Sequence, residues 1–193
     1  MDDRYFFDNL ADSWDDNEVL STPEKVRSIL GLMNLSKGDS VLDLGTGTGV
    51  LLPFVAEKIG EKGKITAVDY SAGMLRKAVE KYSCLKPEPE FVNIDFENEN
   101  IEGEYDKIIM YCVYPHLHEP VETLKWLINV NLKPQGELYI AFPCIADYIN
   151  NIHKERHSES DLLPSAESLA RSLTNSGITA KMIIPDYIIR ITR

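Results

Sequence analysis

Apolar residues recur along this chain in two alternating rhythms. Val26, Ile29, Leu30 and Met33 fall at i, i+3, i+4 and i+7, the spacing of one helix face. Ser21-Thr22-Pro23-Glu24, just before them, supplies a capping hydroxyl and an early proline, so the helix starts there. Beyond a turn at Lys37-Gly38-Asp39, short apolar runs predict strands over 40–44, 64–68, 91–94, 106–112, 137–142, 178–184 and 187–192. Helical stretches separate them. One covers 50–59 and holds Pro53 in its first turn, where the missing N–H costs nothing. A second is capped by Ser71 and buries Leu75, Ala78, Val79 and Tyr82. A third carries Val121, Leu124 and Ile128 and closes at Lys133-Pro134-Gln135-Gly136. The last covers 165–176 and stops at Gly177. The segment 147–163 is polar and reads as partly helical.

Strands separated by helices predict a parallel sheet with right-handed crossovers. The final two strands flank Pro185-Asp186, a connection too short for a crossover, so they are antiparallel. A chain of 193 residues has enough length for one well-buried core and too little for two.

Composition narrows the partners. Hydrophobic residues make up 44% of the chain, a globular proportion. The formal net charge of -11 repels phosphate backbones, which disfavours nucleic acid and anionic membrane surfaces. No apolar stretch approaches membrane-spanning length and the N-terminus lacks a signal-peptide pattern. Cys84, Cys112 and Cys144 are odd in number, widely spaced and without a C-x-x-C pair, so neither a disulfide framework nor a zinc site is expected. These features fit a cytoplasmic protein with free thiols.

Ligands of open α/β sheets bind at the C-terminal ends of the strands, and chemistry-bearing residues gather there. The loop Gly45-Thr46-Gly47-Thr48-Gly49 joins a strand to a helix, and its alternating glycines let the backbone turn sharply and come close to a ligand. Asp69 ends the second strand, twenty positions after Gly49, where a carboxylate can accept both hydroxyls of a ribose. Asp95 and Phe96 follow the third strand, where an acid can take an adenine amino group and a ring can lie on the base. Dinucleotide sites read G-x-G-x-x-G and present a helix N-terminus to a pyrophosphate. This loop reads G-x-G-x-G, with Asp43 in the strand before it, and a third acid at Asp95 suits an adenosine without phosphates.

Val41-Leu42-Asp43-Leu44-Gly45-Thr46-Gly47-Thr48-Gly49 resembles the first motif of class I S-adenosylmethionine-dependent methyltransferases. Val68-Asp69-Tyr70-Ser71 with Met74 resembles the family's ribose-holding second motif, and Asn93-Ile94-Asp95-Phe96 its adenine-contacting motif. Tyr105-Asp106-Lys107-Ile108-Ile109-Met110 resembles its fourth strand, and Leu132-Lys133-Pro134-Gln135-Gly136-Glu137-Leu138 its L-K-P-G-G-x-L, with Gln135 in place of a structural glycine. The resemblance spans about residues 20 to 145 and implies a Rossmann-like doubly wound α/β fold: a seven-stranded, mostly parallel sheet with an antiparallel last strand and helices on both faces. It divides a single domain, 1–193, into entrance helices (1–36), a cofactor-binding core (37–145) and a substrate cover with the closing strands (146–193). It implies S-adenosylmethionine as cofactor, held by Asp43, Gly45, Thr46, Gly47, Thr48, Gly49, Asp69, Tyr70, Ser71, Met74, Asp95 and Phe96, with Tyr111 and Cys112 at the fourth strand's end and Trp14 from the N-terminal segment. The opening Phe7-Asp8-Asn9-Leu10-Ala11-Asp12-Ser13-Trp14-Asp15 is similar to the entrance segment of small-molecule and quinone-type members, which makes Phe7 and Trp14 lid candidates.

A sulfonium methyl is activated already, so such an enzyme works by alignment and by excluding water. A hydroxyl or amine acceptor also benefits from a base. His116, just beyond the fourth strand, is the candidate; His118, two positions on, faces solvent. His153 and His157 are spaced as on one helix face, but no further metal ligands accompany them, and they read as part of the cover. The Asp/Asn-Pro-Pro-Tyr/Phe motif of base-amino methylation is absent, since its place reads Tyr111-Cys112-Val113-Tyr114. Pro143-Cys144 stands without a second cytosine-methylating motif and reads as an inert thiol. The reading is therefore methyl transfer to a small organic acceptor; a nicotinamide-dependent oxidoreductase and a non-catalytic binding module are the alternatives.

Overall fold

The computed structural model describes residues 3–17, 21–156, 162–183 and 187–193. An N-terminal segment forms α1 (Asp3–Leu10) and α2 (Trp14–Asn17), followed by α3 (Pro23–Gly31). The core then runs β1 (Ser40–Leu44), α4 (Leu52–Ile59), β2 (Lys64–Asp69), α5 (Ala72–Tyr82), β3 (Glu90–Asn93), β4 (Tyr105–Tyr111), a 3-10 turn (Tyr114–His116), α6 (Pro120–Val130) and β5 (Leu132–Phe142). It closes with α7 (Ala146–Arg156), α8 (Ala166–Asn175), β6 (Thr179–Ile183) and β7 (Tyr187–Thr192). The strands form one sheet in the order β3-β2-β1-β4-β5-β7-β6. The first five run parallel, and β7 is antiparallel to both its neighbours.

Side-chain alternation splits the core into two layers. Leu42 and Leu44 of β1 face Leu124, Leu127 and Leu173 of α6 and α8, while Val41 turns to Ile29, Leu30, Val55 and Ile59 of α3 and α4. Most of these side chains are fully buried, each stabilising the fold by roughly 1.5–3 kcal/mol. The helix caps are chemical. Thr22 accepts the Lys25 N–H, Ser71 the Met74 N–H and Ser165 the Ser168 N–H.

Several expected boundaries shift. The helix expected from residue 50 begins at Leu52, and the strand expected to reach residue 94 stops at Asn93, whose side chain donates to the Asp69 carbonyl. The stripe on α5 is Met74, Leu75 and Ala78, whereas Val79 is 38% exposed, because the cap at Ser71 sets the phase of the helix. β5 begins at Leu132 rather than residue 137. Leu132 pairs with Tyr105 and the next pair is Lys107 with Glu137, so Lys133-Pro134-Gln135-Gly136 bulges out of the ladder. Among the described residues, no helix is long and apolar enough to cross a membrane.

Candidate functional site

β1 delivers the glycine loop to the middle of the sheet's C-terminal edge, between β2 and β4. Gly45, Gly47 and Gly49 all have positive φ (66°, 58° and 85°), a conformation L side chains rarely adopt. The three differ in what surrounds them. A Cβ at Gly45 would lie 2.5 Å from Val113 Cγ2, and one at Gly49 would lie 2.8 Å from the Tyr82 ring, so these two glycines serve packing as well as turning. A Cβ at Gly47 would meet nothing within 4 Å. Open space therefore lies over the middle of the loop.

Two buried carboxylates hold the loop, Asp43 through Thr46 and Asp69 through Gly47. Asp43 is 1% exposed and accepts the Thr46 hydroxyl at 2.7 Å. Burial pushes its carboxyl up to about 7, against the pull of the Thr46 hydrogen bond, and the charge of Asp69 adds to the rise. Asp69, at the end of β2, accepts the Gly47 N–H on Oδ2 at 2.7 Å and the Ser71 N–H on Oδ1 at 2.9 Å. Burial pushes it up to about 6, opposed by those two bonds, with the Asp8 charge raising it further.

The remaining predicted residues divide into two groups. In the first group, Tyr70 lies 6.2 Å from the Phe7 ring, and the Arg4 guanidinium stands 5.5 Å over it. Ser71 caps α5 and Met74 is buried beneath it. Thr48 donates its hydroxyl to Asp15. Tyr111 ends β4 with its hydroxyl 3.0 Å from Ser21 Oγ. Cys112 follows at φ 61°, the one non-glycine residue with positive φ among those described, and its N–H goes to the Ala141 carbonyl. His116 sits in the 3-10 turn, half-buried, with Nδ1 shielded from solvent and its ring edge-on to Phe7 at 5.5 Å. Phe7 also meets Trp14 at 5.7 Å, so both lid candidates lie together over the strand ends.

The second group is occupied locally. Asp95 accepts the Glu97 N–H and the Asn98 side chain, so its carboxylate organises its own turn; Arg4 approaches it at 3.7 Å. Phe96 is half-buried against the core on the α6 side. The His118 side chain is 88% exposed, with its ring nitrogen 2.9 Å from Glu97. The side chain of His153, and all of His157, lie outside the described residues. Among the described residues no group of three or more His, Cys, Asp or Glu is arranged to hold a metal.

Sequence reasoning missed Glu97, which reads as one more acid in a polar loop. Its carboxylate accepts the N–H groups of His118 and Glu119 and the Thr123 hydroxyl, fastening the start of α6 just after His116. Burial acts to raise its carboxyl, but the hydrogen bonds from His118, Glu119 and Thr123 outweigh that and hold it below the usual range. It also missed Asp8, Asp12 and Asp15, which fasten the N-terminal segment. Their partners, Ser71, Gly73, Lys77, Lys81 and Thr48, lie far away in sequence, and no local signal marks the pairings.

A family model described as a methyltransferase domain matches residues 35–179. The chain is 30% identical over 125 residues to protein-L-isoaspartate O-methyltransferase 2 of Archaeoglobus fulgidus, covering 64% of this chain and 54% of that protein. It is 28% identical over 142 residues to a demethylmenaquinone methyltransferase of Listeria monocytogenes, covering 68% and 58%. A crystal structure described as a SAM-dependent methyltransferase from Aquifex aeolicus superposes with a TM-score of 0.74 at 24% identity, over 95% of this chain and 96% of that one. The chain spans about half the length of the curated relatives it matches.

Proposed function

Since the chain belongs to the methyltransferase-domain family, we propose that it transfers a methyl group from S-adenosylmethionine to a small-molecule acceptor. The observation that carries this reading is the pairing of open space over Gly47 with two buried acids, Asp43 and Asp69, that hold the loop. The fit is chemical. Asp69 is a buried carboxylate already accepting two N–H donors, and a carboxylate has lone pairs enough for the hydroxyls of a ribose as well. Backbone N–H groups of the glycine loop suit a carboxylate, and Asp43 adds negative charge suited to a cationic ligand. Tyr70, Ser71, Met74, Tyr111 and Cys112 line the reading's remaining contacts. Asp95 and Phe96 take the adenine only if Asp95 exchanges part of its own turn for the ligand.

S-adenosylmethionine, when bound, supplies a methyl carbon activated by its sulfonium. The chain's own residues then have three tasks. The loop and Asp69 fix the cofactor's position, which aligns the methyl for in-line attack. Phe7, Trp14 and Tyr70 cover the strand ends and exclude water. His116 takes the acceptor's proton on Nε2, its Nδ1 being the shielded nitrogen. The net charge of -11 favours a small neutral or cationic acceptor over nucleic acid, and three widely spaced cysteines without a C-x-x-C pair suit a cytoplasmic setting.

The test is calorimetric titration with S-adenosylhomocysteine and, in parallel, with NAD. Binding of the first alone is the expected result, and an acceptor screen follows with wild type and His116→Ala. Binding of neither, or of NAD alone, removes the basis of the reading.

A further inference from the structure

Three aspartates of the N-terminal segment, Asp8, Asp12 and Asp15, recur at helical spacing, and each meets its partners one turn further along α5. Asp8 Oδ1 accepts the Ser71 hydroxyl at 2.6 Å and the Gly73 N–H at 2.8 Å. Asp12 lies 2.8 Å from Lys77 Nζ and 3.4 Å from Arg76. Asp15 lies 2.8 Å from Lys81 Nζ and accepts the Thr48 hydroxyl at 2.6 Å. The segment thus runs alongside α5, with Asp8 on the helix's capped start and Asp12 and Asp15 on its bases. Gly73 permits the close approach, since a Cβ there would stand 3.1 Å from the Asp8 carbonyl and 3.2 Å from Ala11 Cβ. Ala11 is the segment's buried anchor, 3% exposed.

The two ends of this row touch the cofactor loops themselves. Ser71 donates its N–H to Asp69, so Asp8 acts on Asp69 through Ser71. Thr48 belongs to the glycine loop, so Asp15 acts on that loop. Beside these ties the segment sets Phe7 against Tyr70 and His116, with Trp14 packed on Phe7. The middle tie is different in kind. Asp12 touches only the bases of α5, its side chain is 78% exposed, and such pairs are individually weak and screened by salt. A row built this way closes in water without locking.

We propose that residues 3–17 form a charge-latched lid whose opening sets the rate of cofactor exchange, with Asp8 and Asp15 as positioning residues for the two cofactor loops. The exchange role rests on the methyltransferase reading; the latch itself does not. Closure places Phe7 and Trp14 over the site and couples the segment to Asp69 and to the glycine loop in one movement. Opening releases the cover and the ties to Ser71 and Thr48 together.

The experiment uses the full chain with Trp126→Phe, leaving Trp14 as the only tryptophan. Acrylamide quenching reads the latch without any ligand, and release of S-adenosylhomocysteine, followed after a chase, reads the exchange. Asp12→Lys sets like charges against Arg76 and Lys77 without touching either loop. It is expected to raise Trp14 quenching and to speed release about fivefold. Adding Lys77→Asp restores both, and raising NaCl from about 50 mM to about 500 mM moves wild type toward the single variant. Quenching that ignores both the charge reversal and the salt overturns the latch. Quenching that responds while release does not overturns the exchange role, as does a double variant that stays as fast as the single one. Failure of S-adenosylhomocysteine to bind at all overturns the methyltransferase reading and the exchange role with it, while the quenching series still decides the latch.

Discussion

Replacing Asp69 with asparagine should push cofactor affinity and protein stability in opposite directions. The carboxylate is 5% exposed, and burial has raised its pKa from 3.8 to about 6. A shift of that size means the ionised form costs the folded protein on the order of 3 kcal/mol at neutral pH. The sign follows from the raised value. Below pH 3.8 both folded and unfolded chains hold the proton and there is no cost. Between 3.8 and about 6 the folded state alone keeps its proton, and stability is lost steadily as pH rises. Above 6 the cost is at its full value. Asparagine removes it but keeps only one acceptor for the two N–H groups of Gly47 and Ser71, which returns about 1–2 kcal/mol. Asp69→Asn should therefore melt a few degrees above wild type at pH 8, with the gain vanishing toward pH 4. Its affinity for S-adenosylhomocysteine should fall about 100-fold, the loss of charge-assisted bonds to two ligand hydroxyls. In wild type that affinity should fall about tenfold for each pH unit below 6, as the proton competes with the ligand, and the raised pKa of Asp43, about 7, steepens the decline. Calorimetric titrations and thermal melts from pH 5 to pH 8 measure both. A variant that is less stable at pH 8 and binds as wild type does would refute this account of Asp69.

The sequence carried the sheet and the glycine loop because both are local. Alternating apolar runs and breakers at Lys37-Gly38-Asp39 and Gly177 need no tertiary information, and Asp43, Gly47 and Asp69 lie at strand ends that those runs define. Asp95 shows two local readings in competition. The end of its strand was legible to within a residue or two, but a strand-end aspartate can also turn onto the N–H two positions on, and here its carboxylate takes Glu97 and Asn98. Glu97 is the converse. It looks like a solvated loop acid, and only the fold brings His118, Glu119 and Thr123 around it. The bulge of 133–136 was hidden because proline and glycine there read as a turn, whereas the pairing of Leu132 with Tyr105 depends on β4. The entrance segment shows the same limit. Its aromatics were visible, but the ties of Asp8 and Asp15 join residues 63 and 33 positions apart in sequence.

Three further predictions separate packing from chemistry. Gly47→Ala should cost about 1 kcal/mol of stability for its left-handed backbone and abolish S-adenosylhomocysteine binding by filling the open space, whereas Gly45→Ala should cost more than about 2 kcal/mol through its clash with Val113; melts and titrations on the pair tell the two roles apart. His116→Ala should lower kcat about 100-fold or more while leaving S-adenosylhomocysteine affinity within about twofold, since a base acts on the acceptor's proton alone; equal losses in rate and in cofactor affinity would make His116 a packing partner of Phe7 instead. Cys112 holds φ 61° where β4 ends and the site begins, at a cost of about 1 kcal/mol or more for a side chain in that region. Cys112→Gly should lift that cost and raise the melting temperature, and Cys112→Val, branched at Cβ, should lower it by the equivalent of about 2 kcal/mol. If the strained turn at Cys112 serves the site, the glycine variant gains stability and loses turnover together; a variant that gains stability with turnover intact would show that the turn is only the way β4 hands the chain to the 3-10 turn.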